Sequence, residues 1–159
     1  MLNTDANICP FCSEKIRNNS FFFNQNYFVI YNRAPIVAGH SLVIPYKHYE
    51  KLNDIPLEES KQLFPFIQQV MKILTQAFKT QSFDISVQDG IEAGQTVLHT
   101  HVHIIPRFVN DCLQPSDWYQ VLQDHEQKHL LDSAIRPHLP EEKLLEITDK
   151  LRNIAKKLT

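Results

Sequence analysis

The chain has 159 residues, enough for one domain with a sizeable core. Its 43% hydrophobic and 21% charged content is that of an ordinary globular protein. With 16 Lys and Arg against 18 Asp and Glu the formal charge is −2, so no basic excess argues for DNA or RNA as a partner.

Met1 to Ile8 is polar and lacks the basic and apolar regions of a secretory signal. No apolar run approaches the length of a bilayer span, so no membrane partner is expected. Three cysteines, Cys9, Cys12 and Cys112, do not suggest a disulfide framework, and Cys112 reads as an inert thiol. The expectation is a soluble, cytoplasmic protein.

Tyr27 to Tyr31 (YFVIY) reads as a strand, broken by Asn32-Arg33-Ala34-Pro35. His40 to Pro45 reads as a second strand, able to form an antiparallel hairpin with the first. Leu63, Phe66, Ile67, Val70, Met71, Leu74 and Phe78 follow the spacing of an amphipathic helix, with Pro65 in its first turn or at a kink. Phe83 to Gln88 reads as a third strand ended by Asp89-Gly90. Val102 to Pro106, extended back through His99, reads as a fourth. Ser116 to Leu131 suggests a further helix. Leu144, Ile147, Leu151, Ile154 and Leu158 form one helical stripe, with acidic residues at its start and Lys156-Lys157 at its end. The pattern predicts an α+β fold: an antiparallel β-sheet with helices on one side and a helical C-terminal extension.

His99, His101 and His103 stand at i, i+2 and i+4. In a strand they share one face, with neighbours roughly 7 Å apart, while Thr100, Val102 and Ile104 face the other way. Such a row can bind metal, or it can attack phosphorus and protonate a leaving oxygen. A structural set of histidines is the alternative. Cys9-Pro10-Phe11-Cys12 has the spacing that grips one metal ion with two thiolates, although free thiols or a redox pair fit equally.

Residues Gln88 to Arg107, with the Asn32 to His40 stretch, resemble the histidine triad (HIT) family, and most of all its Fhit-like branch of dinucleoside polyphosphate hydrolases. The resemblance covers about residues 9–107 and implies a HIT-like fold in one domain over 1–159, with the helical extension at about 115–159. It implies that diadenosine tri- or tetraphosphate is cleaved to AMP through a nucleotidyl-histidine intermediate. His101 would be the nucleophile and His103 would meet the phosphate or the leaving oxygen. Asn32 would bind the ribose, Gln88, Gln95 and Thr96 would line the phosphate site, and His40 would support the cluster. Phe28 and Ile30 are weak candidates for holding the base.

The resemblance further implies that His48 and His99 complete a structural zinc site with Cys9 and Cys12. It also implies a homodimer. No carboxylate cluster marks a dedicated Mg2+ site, so any Mg2+ would arrive with substrate phosphates. Thr100 departs from the family's preference for an apolar residue there. Pro106-Arg107 stands where the related Hint branch carries Gly-Gly-Arg, which favours hydrolysis. The alternatives are a Hint-like phosphoramidase, a nucleotidyl transferase, or a nucleotide sensor with little turnover. His125 and His129 could share a helix face but read as solvated. His138 reads as loop, Glu59 and Lys61 as solvated, and Phe21 to Phe23 as core or dimer surface.

Overall fold

The computed structural model describes residues 9–111 and 137–158. Met1 to Ile8, the expected Ser116–Leu131 helix, Cys112, His125 and His129 lie outside them.

Among the described residues, five antiparallel strands form one sheet: β1 (Ser20–Phe23), β2 (Tyr27–Tyr31), β3 (Ser41–Pro45), β4 (Ser82–Ser86) and β5 (Val102–Arg107). Their spatial order is β1-β2-β3-β5-β4. The expected hairpin is present: β2 and β3 pair from Tyr27↔Pro45 to Tyr31↔Ser41. The aromatic run Phe21 to Phe23 is itself strand β1. Its Phe21 is buried in the core, Phe22 stacks on Phe66, and Phe23 is exposed.

Period-2 alternation divides the strands between two apolar layers. Tyr27, Val29, Tyr31, Val43, Val102 and Ile104 face one side. There they meet Leu63, Phe66, Ile67, Val70, Ile73 and Leu74 of one helix and Leu151 and Ala155 of another. The first helix, Leu63–Phe78, carries Pro65 in its first turn, where no N–H is required. The second, Glu141–Leu158, is the predicted C-terminal helix, with Glu141 and Glu142 in its first turn and Lys156 and Lys157 in its last. Arg152 ties it to the sheet edge by donating to the carbonyls of Asn18 and Ser20.

The opposite face is covered as well. Phe28, Ile30, Leu42 and Ile44 form a smaller layer beneath Phe11, with Cys9, Ile16, Tyr46 and Val97 packed on it. The cover comes from the N-terminal segment, a single 3-10 turn at Pro10–Cys12 and a short helix at Glu14–Asn18.

Two strand limits differ from the sequence reading. β4 ends at Ser86 rather than Gln88, and β5 begins at Val102 rather than His99. For β5 the cause lies in residues 97–101. His99 N–H turns back to the Val97 carbonyl at 2.7 Å, and Thr100 N–H is taken by the Tyr49 carbonyl at 2.6 Å. With those donors diverted, His99 and Thr100 do not extend the β5 ladder.

Candidate functional site

Ser41↔Ile104, Leu42↔His103 and Val43↔Val102 fix the register of β5 against β3. His103 therefore shares the smaller apolar face with Leu42, while Val102 and Ile104 anchor the strand in the larger core. His101 lies just before the strand on the same side, its ring centroid 5.0 Å from that of His103. Phe11 meets His101 edge-on at 5.2 Å and closes over it.

The hydrogen bonds assign each ring's tautomer. His101 Nδ1 lies 2.8 Å from the His99 carbonyl, which can only accept. Nδ1 thus carries the proton and Nε2 holds the lone pair. Burial lowers the pKa of this ring against the raising effect of that carbonyl, so the neutral, nucleophilic form is favoured. His40 Nδ1 accepts from the Ile36 N–H at 3.2 Å, so its proton sits on Nε2 and is donated to His103 Nδ1 at 2.9 Å. His103 in turn carries its proton on Nε2. A lone pair on one ring and an N–H on the next are the two functions that phosphoryl transfer through an imidazole requires.

His40 is held by the turn between β2 and β3. Asn32 N–H bonds the His40 carbonyl, and Asn32 Oδ1 accepts from Ala34 N–H at 2.9 Å. Gly39 closes the turn at φ +91°, where a Cβ would stand 2.6 Å from Pro106 Cγ. Only glycine fits, because both the backbone angle and the space exclude a side chain.

A second group lies beside the first. Cys9, Cys12, His48 and His99 bring their ligand atoms within 4.8 Å of one another and could hold a metal ion. His99 Nε2 donates to the Pro45 carbonyl at 3.0 Å, which leaves the Nδ1 lone pair facing Cys9 Sγ at 3.4 Å and Cys12 Sγ at 3.6 Å. His48 Nδ1 lies 3.5 Å from Cys12 Sγ. Bonds of about 2.3 Å to sulfur and 2.0–2.1 Å to nitrogen put the edges of a tetrahedron at roughly 3.3–3.8 Å, so these separations fit one ion. Burial pushes the His99 pKa down to about 4, which keeps its ring neutral and ready to ligate. The two cysteines stand together because the Pro10–Cys12 turn brings Cys12 N–H to the Cys9 carbonyl at 3.0 Å.

The sequence reading missed Arg17. The Cys12 pKa is raised, chiefly by burial and by the Cys9 thiol, and the Arg17 guanidinium beside it offsets part of that rise. Arg17 is fixed by the Tyr46 carbonyl at 2.6 Å and by the Tyr46 ring. Nothing in the spacing of residues 9–17 marks this role. Pro45 and Tyr49 were equally invisible, since they act through their carbonyls.

The remaining expected residues are distributed as follows. Asn32 is 4% exposed, with Nδ2 against the His40 ring. Gln95 is buried, and its amide braces the 90–97 loop: Oε1 accepts from Gly90, and Nε2 donates to the Glu50 and Val97 carbonyls. Gln88 is half-buried and donates to Ser86 Oγ, whereas Thr96 is exposed. Phe28 is fully buried against Tyr46. Glu59 is not a solvated charge: it binds Lys47 and the Tyr49 hydroxyl, which hold its carboxyl below the ordinary range, and its side chain is 16% exposed. His138 lies outside regular structure, as expected, and accepts from Arg33.

The HIT domain family profile matches residues 13–110. A Schizosaccharomyces pombe protein, bis(5'-nucleosyl)-tetraphosphatase [asymmetrical], is 39% identical over 95 residues, which cover 60% of this chain and 52% of the relative. The chain thus matches about half the length of that relative. An Arabidopsis thaliana protein, adenylylsulfatase HINT3, is 33% identical over 154 residues, covering 91% of this chain and 77% of the relative. The crystal structure of Plasmodium falciparum diadenosine triphosphate hydrolase in complex with cyclomarin A superposes with a TM-score of 0.70 at 26% identity, covering 89% of this chain and 78% of that one.

Proposed function

The chain belongs to the HIT domain family, and on that premise we propose that it hydrolyses dinucleoside polyphosphates, diadenosine tri- or tetraphosphate, to release AMP. His101 Nε2 attacks the α-phosphorus. A P–N bond forms as the P–O bond to the departing nucleoside polyphosphate breaks. His103 Nε2–H donates to the phosphate or to the leaving oxygen. Water then attacks the same phosphorus, releases the nucleoside monophosphate and returns the electron pair to His101. In this reading Asn32 meets the ribose, and Gln88, Gln95 and Thr96 border the phosphates. Because Asn32 and Gln95 are buried, their side chains must reorient on binding to touch substrate. Any Mg2+ enters with the substrate.

The observation that carries the reading is the pair of fixed tautomers: a lone pair on His101 Nε2 beside an N–H on His103, set by the His99 carbonyl and by His40. The metal held by Cys9, Cys12, His48 and His99 is zinc in this reading, and four protein ligands leave it no open position, so its role is structural. The chain works as one domain, as a homodimer and in the cytoplasm.

The extent of the match to the plant relative favours a second reading, in which the leaving group is sulfate and the substrate an adenylyl sulfate. Both use the same intermediate. Turnover of diadenosine tri- and tetraphosphate, adenylyl sulfate and adenosine phosphoramidate separates them. Fastest release of AMP from a dinucleoside polyphosphate supports the first reading. Exclusive turnover of adenylyl sulfate or phosphoramidate replaces it, and binding with no turnover leaves a sensor.

A further inference from the structure

The C-terminal extension reaches back to the turn that carries the catalytic support. Leu139 N–H donates to the Arg33 carbonyl at 2.8 Å, and the Arg33 guanidinium donates to His138 Nδ1 at 3.0 Å. Two bonds thus join residues more than a hundred positions apart. Leu139 also packs on the larger core, which fixes the segment from beneath.

The bond from Arg33 requires a lone pair on His138 Nδ1, so the interaction depends on the placement of one acceptor atom. Arg33 follows Asn32 directly. The same turn is closed by Asn32 N–H to the His40 carbonyl, by His40 N–H to the Val37 carbonyl at 3.1 Å, and by Ile36 N–H to His40 Nδ1. His40 Nε2–H donates a hydrogen bond to His103 Nδ1. An unbroken path of hydrogen bonds and backbone therefore runs from His138 through Arg33, the 32–40 turn and His40 to His103.

We propose that Pro137–Pro140 is a clamp on the catalytic histidines, with His138 a positioning residue that acts through Arg33 and His40 on His103. The proposal rests on the nucleotidyl-transfer reading for its kinetic consequence, but not for its structural one. Arg33 and His138 are exposed, so substituting either leaves the core intact. His138→Asn places a carbonyl oxygen near the position of Nδ1 and keeps the acceptor, whereas His138→Phe keeps the ring shape and removes it.

The test combines two readouts on the full chain. In metal-loaded protein labelled with 15N-histidine, His138→Phe should move the imidazole signals of His40 and His103, and His138→Asn should restore them. His138→Phe should lower kcat roughly three- to tenfold, the range that one net hydrogen bond carries. KM and metal content should stay unchanged. Arg33→Leu should match His138→Phe. Unmoved His40 and His103 signals in His138→Phe, or a His138→Asn variant as impaired as His138→Phe, would overturn the clamp. Failure of the unsubstituted protein to turn over any nucleotide would instead sink the catalytic reading, and the imidazole signals would still decide the clamp.

Discussion

Neighbouring histidines of one motif do different work because each ring is committed by a different partner. His101 Nδ1–H donates to the His99 carbonyl, and His103 Nδ1 accepts a hydrogen bond from His40 Nε2–H. His99 donates from Nε2 and turns Nδ1 towards two sulfurs. Replacing His101 by Asn keeps a donor near Nδ1 but removes the proposed nucleophile. Turnover should fall on the order of 10⁴-fold or more, and nucleotide binding measured by calorimetry should persist. Full activity in that variant would contradict the assignment of the nucleophile. Cys9→Ser or Cys12→Ser should abolish stoichiometric metal in protein purified without added zinc. For an ion present at a few hundred times its Kd, that loss removes about 3–4 kcal/mol of stability. Arg17→Met should weaken metal retention against a competing chelator without altering the four ligands. Retention equal to the parent would show that the guanidinium does not support the Cys12 thiolate.

At the scale of elements, the alternation of polar and apolar residues made most of the sheet legible. Tyr27–Tyr31 and the Leu63–Phe78 helix follow their periodicities closely. The early start read for β5 has an identifiable cause. His99 and Thr100 alternate as a strand does, but their N–H groups are taken by the carbonyls of Val97 and Tyr49, contributed from outside the periodic pattern. The β1 strand was hidden for the opposite reason, since three consecutive phenylalanines show no alternation although only Phe21 is buried and Phe23 is exposed. Of the candidate metal group, the Cys9 and Cys12 pair was legible from its spacing and His48 and His99 came from the family resemblance, whereas Arg17 carries no signal until the fold brings it to Cys12. Two stability predictions belong here. Thr100 Oγ1 is buried with no partner among the described residues, so Thr100→Val should stabilise by about 1 kcal/mol. At this chain length that raises the melting temperature by roughly 2–4 °C in a calorimetric scan. A fall would mean that the hydroxyl is satisfied. Gly39→Ala combines a left-handed backbone angle with a close approach to Pro106, and should cost about 2–4 kcal/mol by urea denaturation.

At the scale of the molecule, both faces of the sheet are used, and for different purposes. Two long helices bury one face and hold β5 through Val102 and Ile104. The N-terminal segment covers the other, where Phe11 caps His101 and the four candidate metal ligands gather. The C-terminal helix is more than an appendage, because Arg152 grips the β1 edge and the segment before it grips the Arg33 turn. The N-terminal segment thus meets the His99 and His101 rings, and residues 138 and 139 meet the turn that holds His40. What unites these features is a single chemical claim, that a nucleotide is carried on His101 Nε2. Rapid alkaline quenching of the enzyme turning over a dinucleoside polyphosphate, which preserves an acid-labile P–N bond, followed by peptide mass spectrometry at neutral to alkaline pH, tests it directly. The account predicts one nucleoside monophosphate adduct, located on His101 and absent from His101→Asn. An adduct on another residue, or steady turnover by single displacement with no adduct at any quench time, would contradict it.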